Sequence, residues 1–141
     1  YNRRNSSIFR RCKKNHSVGN CGFSYNKMIA VWCDYFTKTL ALKEALYPNM
    51  LKALIATEST FDPDAINKKA TGLTQITTST LKILQNLNGE AKDFVFKDIR
   101  KKDLTDPNVS IALGARWLAY KKQYAEKSML KYRELYALLK K

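Results

Sequence analysis

The chain has 141 residues, 45% of them hydrophobic and 27% charged, and carries a formal net charge of +14. That length suits one domain with a core of its own, which needs neither a disulfide nor a metal to fold. The excess of 26 Lys and Arg over 12 Asp and Glu points to an anionic partner: nucleic acid, an acidic membrane surface or an anionic wall polymer. The lack of any run of about 18 apolar residues excludes a spanning helix.

Residues 1–25 read as a basic, irregular leader. They hold Arg3, Arg4, Arg10, Arg11, Lys13 and Lys14 with no acid. The start Tyr1-Asn2-Arg3-Arg4 has no apolar segment of the kind a signal peptide needs. A chain without an initiator Met reads as a processed form or an excised domain. Cys12, His16, Cys21 and Cys33 form Cys-x3-His-x4-Cys-x11-Cys, which matches no standard zinc spacing. The expectation is no metal, with one disulfide or simply packed thiols, and the compartment is left open. His16 is given no role.

From Tyr25 to Leu46 the apolar residues recur at three- and four-residue steps, which predicts a helix. Pro48 opens a second helix, where its missing N–H costs nothing. That helix carries Met50, Leu51, Leu54 and Ile55 and ends near Glu58 to Thr60, because Phe61-Asp62-Pro63-Asp64 forms turns. Residues 62–72 read as a polar loop. The Thr77–Thr80 stretch caps a helix over Leu81, Ile83, Leu84 and Leu87, and Asn88-Gly89 breaks it. Phe94, Phe96 and Ile99 lie in a short mixed segment. Asp106-Pro107 starts a helix with Val109, Ile111, Ala112, Ala115, Leu118 and Ala119. A separate last helix holds Met129, Leu130, Leu135, Leu138 and Leu139. The fold expected is mainly α, with little or no β-sheet.

Glu58 is the residue whose position suggests chemistry. Partial burial at the end of an apolar helix would disfavour the charged carboxylate. A carboxylic acid that keeps its proton near neutral pH can protonate a leaving-group oxygen, as glycoside cleavage requires. Position alone leaves an ordinary surface glutamate as the commoner outcome.

The neighbouring motifs change that balance. Glu58-Ser59, then Phe61-Asp62-Pro63-Asp64-Ala65, then Gly72-Leu73-Thr74-Gln75 follow one another in order. Asp106-Pro107-Asn108-Val109-Ser110-Ile111-Ala112-Leu113-Gly114 comes next. This order resembles the lytic transglycosylases of glycoside hydrolase family 23, the goose-type and soluble-lytic-transglycosylase branch of the lysozyme superfamily. The resemblance spans about residues 48–120. Thr74 stands where the family has Met. The family's Ala-Tyr-Asn-x-Gly motif, whose Tyr lies close to the catalytic Glu, has no full counterpart. Either Tyr136 takes its place or the motif begins beyond Lys141, leaving the 26–141 domain truncated.

The resemblance implies a bacterial enzyme, in the periplasm or delivered to the cell wall, that cleaves peptidoglycan glycan strands. It makes Glu58 the catalytic acid and base. It makes Ser59, Gly72, Leu73, Gln75 and Tyr136 the substrate-binding residues. No cofactor is implied. A retaining glycosidase needs a second carboxylate about 5 Å away, but this family uses none, and Asp62 and Asp64 read as turn formers. Trp117 reads as core, and Tyr120, Tyr124 and Tyr132 as packing or snorkelling aromatics. A secretion or other envelope assembly is a further partner that the family allows. The competing readings are a hydrolytic muramidase on the same fold and a non-catalytic cationic module for wall or nucleic acid. No recognition helix or aromatic nucleic-acid motif supports specific nucleic-acid binding.

Overall fold

The computed structural model describes residues 24–140. Cys12, His16 and Cys21, and so most of the cysteine motif, lie outside them. Helix α1 (Asn26–Thr39) buries Ile29, Cys33 and Phe36 in one stripe, the spacing that puts side chains on a single helix face. Tyr25, read as the last residue of the leader, belongs to the core and is fully buried. The predicted extension to Leu46 does not occur. The chain reverses at Ala41, which takes a left-handed φ of 47°. There the Leu42 N–H donates to the Thr37 carbonyl and the Ala41 N–H to the Lys38 carbonyl, the paired bonds of a Schellman end. The Thr37 hydroxyl then accepts from the Leu46 N–H at 2.9 Å, so the loop folds back onto the helix it leaves.

Helix α2 (Pro48–Ser59) starts at its proline and buries Leu51, Ile55 and Ser59. Residues 62–72, read as plain loop, include two of three short antiparallel strands: β1 (Ile66–Asn67), β2 (Ala70–Thr71) and β3 (Ile76–Thr77). The register pairs Ile66 with Thr71 and Ala70 with Thr77. Thr77 caps helix α3 (Thr78–Gln85) by accepting from the Thr80 N–H. Residues 86–100 cross over without regular strands or helices. Phe94 and Phe96 from this crossing pack edge-on against Phe36. A short 3-10 turn (Lys101–Thr105) leads to Asp106, whose carboxylate accepts from the Asn108 and Val109 N–H groups.

Helix α4 (Pro107–Leu139) is one element of 33 residues, about 50 Å long. It replaces the two helices expected, because Tyr120–Ser128 contains neither Gly nor Pro to break it. Its first half lies between two cores. Ile111, Ala115 and Ala119 join Ile29, Phe36, Leu51, Ile55 and Leu73. Leu113, with Val109 and Trp117 beside it, joins Ile76, Leu81, Leu84 and Leu104. The fold is mainly α with one small sheet, as the sequence implied. No helix among the described residues is long and apolar enough to cross a membrane.

Candidate active site

The candidate site is the C-terminal end of α2 and the strands that follow it. Thr60 and Phe61 both hold left-handed φ values, 52° and 61°. Such values are rare for non-glycine residues and least suited to a β-branched side chain. Lys68, Gly72 and Gln75 add three more at 53°, 84° and 49°. Residues held in sparsely populated conformations cluster where function requires a fixed shape, and here four non-glycine residues fall within 16 residues of one loop.

Packing and hydrogen bonds hold this shape. Phe61 is buried and stacks on Tyr25. The Asp62 N–H donates to the Ser59 carbonyl and the Ala65 N–H to the Asp62 carbonyl. The Asp62 carboxylate accepts from the Asp64 N–H, the turn-forming role read from the sequence. Ala65 in turn is the anchor for the far side of the loop. Its carbonyl accepts from the Gly72 N–H at 2.9 Å and from Gln75 Nε2 at 3.0 Å. A continuous run of bonds therefore links Gln75 to the last turn of α2.

Glu58 sits on that last turn with its side chain exposed. The partial burial expected from the sequence is not there: Glu58 is exposed although its spacing of three from Ile55 and seven from Leu51 puts it on the same face of α2 as those buried residues. Among the described residues no cation forms an ion pair with Glu58.

Ser59 is buried, and its hydroxyl donates to the Ile55 carbonyl at 3.0 Å, so it is turned into its own helix. Leu73 is fully buried in the core, which withdraws its side chain from any ligand. Gly72 serves a close approach to protein backbone: a Cβ there would meet the Leu104 carbonyl oxygen at 2.0 Å. Gln75 gives both bonds of its amide nitrogen to carbonyls, those of Ala65 and Gly72. Two acceptor partners fix which end is nitrogen and leave the amide oxygen for another donor.

Tyr136 is not brought to this site. Gly114 packs on Thr74, where a Cβ would meet Thr74 Cγ2 at 2.4 Å. Tyr136 lies 22 residues further along the same helix, about 33 Å down its axis. There it is exposed, with Lys140 Nζ above its ring.

Thr74, Ser110, Gly114 and Arg116 brace the site, a role the sequence reading assigned to none of them. Thr74 Oγ1 donates to the Ser110 carbonyl at 2.8 Å, and the Thr74 N–H donates to Ser110 Oγ at 3.1 Å. Both residues are buried, and Gly114 leaves the room for Thr74. The signal was Gly114 itself, since a glycine inside a helical pattern costs about 1 kcal/mol and so has a packing reason. Arg116, also fully buried, holds the crossing segment by donating to the Ala91 and Phe94 carbonyls. Trp117, read as core, is half-buried and stacked on Tyr120.

Among the described residues no group of three or more His, Cys, Asp or Glu is arranged to hold a metal ion. Cys33 is a free thiol that burial pushes up to about 11, the behaviour of an inert core cysteine and not of a nucleophile. A shallow depression between the loop after α1 and the middle of α4 is lined by Glu44, Lys122, Met129 and Arg133 among others. None of its lining residues belongs to the site.

A family model described as a transglycosylase SLT domain matches residues 35–139. No curated protein and no solved structure matches the chain.

Proposed function

The chain belongs to the transglycosylase SLT domain family, lysozyme-like domains that act on peptidoglycan, and from that premise we propose that it cleaves the β-1,4 bond between N-acetylmuramic acid and N-acetylglucosamine, with Glu58 as acid and then base. The observation that carries the proposal is the placement of Glu58. It is an exposed carboxylate on the last turn of α2, in the family's Glu-Ser position, with the Gly72–Gln75 segment tied back to that turn through Ala65 and Asp62.

The protonated Glu58 carboxyl gives its proton to the glycosidic oxygen as the bond to the muramic C1 breaks. The carboxylate then takes the proton of the muramic C6 hydroxyl, whose oxygen bonds to C1. The products are a 1,6-anhydro end and a free N-acetylglucosamine hydroxyl. No water is consumed, and Glu58 ends protonated as it began. A hydroxyl held on the reacting sugar substitutes for an enzymic nucleophile because its effective concentration is very high. Since the protein leaves Glu58 open to solvent, the bound glycan supplies the exclusion of water that the acid step needs. Gln75 offers its amide oxygen to a sugar hydroxyl or acetamido N–H. Gly72, Leu73 and Ser59 act by fixing the loop, not by touching sugar.

The test is digestion of purified sacculi by the wild-type chain and by Glu58→Gln, with products read by mass spectrometry. We expect 1,6-anhydro muropeptides from the wild type. The variant should lose about a hundredfold or more, the scale of general acid–base catalysis, with unchanged thermal unfolding. Undiminished cleavage by Glu58→Gln would refute the site. One observation favours a second reading: the exposure of Glu58 gives water access to the reacting carbon, as a hydrolytic muramidase requires. Reducing-end products with no anhydro sugar would select that reading.

A further inference from the structure

Among the described residues, nothing packs on the last third of α4. From Met129 to Lys140 every residue is exposed, Leu139 to 85% and Tyr132 to 69%. Most of its apolar side chains are nevertheless ordered, with Leu138 just past one edge of the stripe they form and Leu130 on the opposite face. At 3.6 residues per turn, Tyr124, Met129, Tyr132, Leu135, Tyr136 and Leu139 fall within a stripe about 140° wide. Arg133 and Lys140 run along one edge of the stripe, and Lys127 and Lys131 along the other. Glu126 and Glu134, the two acids between residues 121 and 140, lie on the opposite face. Lys140 Nζ reaches over the Tyr136 ring, 4.7 Å from its centroid.

We infer that this stripe docks on an anionic lipid surface, with its apolar side chains below the headgroups and the flanking cations among them. Three properties choose that occupant. A wall polyanion or nucleic acid would be held by the cations alone and would leave six large apolar side chains in water. A second copy of the helix would bring like charge against like charge, since residues 121–140 hold six Lys and Arg against two Glu. Three of the six stripe residues are tyrosines, whose rings sit with an apolar body inside the interface and a hydroxyl in water. Basic edges around an apolar stripe are the pattern of helices that lie in the interface plane. An apolar contact and a basic cluster together give the two signals that stable attachment requires.

This inference does not rest on the catalytic proposal, since none of its residues belongs to that site. The experiment is co-sedimentation of the full chain with vesicles of equal parts phosphatidylglycerol and phosphatidylcholine, and with phosphatidylcholine alone. We expect binding to the anionic vesicles that weakens with salt, and little to the neutral ones. The paired change Leu135→Glu with Leu139→Glu should lower the affinity about tenfold or more. The charge-matched pair Gln123→Glu with Ala137→Glu, on the opposite face, should lower it less than about threefold. Leu135, Leu139 and Ala137 are exposed and Gln123 is half-buried beside Leu42 and Lys43, and circular dichroism checks that each variant stays folded. No sedimentation with the anionic vesicles overturns the inference, as does an equal loss in both pairs, which would mean charge alone. A dimer in sedimentation equilibrium that Leu135→Glu with Leu139→Glu disperses would also overturn it, by assigning the stripe to a second copy.

Discussion

From Ser110 to Ala119, α4 is covered on nearly every side by two cores, while from Met129 to Lys140 the same helix is bare. Propensity does not favour the covered half, since Ser110–Ala119 holds Gly114 while Met129–Lys140 holds neither Gly nor Pro. The difference lies in what each half packs against. The first half carries Thr74, Gly72 and their loop through Ser110 and Gly114, so the geometry around Glu58 depends on it. The second half has no such load. An unpartnered helix of that length is marginal in water, and it persists here as the continuation of an anchored one. A single element thus both braces the candidate site and presents a separate surface.

Substitutions that treat the halves alike should give unlike results. The largest contrast is between Leu113→Ala and Leu135→Ala. Leu113 is fully buried, and its truncation should cost about 2–5 kcal/mol of unfolding free energy in urea titrations. Leu135→Ala should stay within about 0.5 kcal/mol. Comparable losses would show that the distal half packs on the domain in solution. Next is Gly114→Ala, whose Cβ meets Thr74 Cγ2. Overpacking there should cost about 1–3 kcal/mol, and it should lower cleavage of sacculi beyond the loss of folded protein, because Thr74 carries the loop. A smaller effect is expected from Asp106→Ala. It removes the carboxylate that accepts from Asn108 and Val109 and should cost about 1 kcal/mol, with activity per folded molecule unchanged.

The parts legible in the sequence were those set locally. Pro48, Thr77 and Asp106 mark helix starts because a cap or a first-turn proline acts within three residues. The apolar stripe of α1 was legible for the same reason, but its end was not. Ala41 adopts a left-handed conformation that no propensity favours for alanine, held by the return of Leu46 to Thr37. Two-residue strands have no period to read, so the sheet was missed. Within the site, the order of Glu58, Gly72 and Gln75 along the chain was readable, whereas their exposure was not. Glu58 is exposed although Leu51 and Ile55 on the same face of α2 are buried, Leu73 is buried in the core, and the Ser59 hydroxyl donates to the Ile55 carbonyl, each an outcome of tertiary packing that no local pattern records.

The smallest expected effect is the sharpest test of the comparison. Tyr136 is one of the two candidates the family resemblance leaves for the Tyr beside Glu58, the other lying beyond Lys141, and the continuous α4 carries Tyr136 about 33 Å past Gly114. Tyr136→Phe removes the hydroxyl and keeps the ring, so stability should not move. If α4 stays straight when glycan binds, the rate of sacculus cleavage should stay within about twofold of wild type, since a group that touches neither substrate nor Glu58 contributes nothing to the barrier. A loss of about tenfold or more would require the distal half to fold back toward α2. That would demand a break in a stretch that has no Gly or Pro between Gly114 and Lys140. Such a break would have to be driven by binding energy larger than the helical hydrogen bonds it disrupts. The same change would also remove the bare stripe, so one kinetic measurement decides whether the exposed half of α4 is an arm or part of the active site.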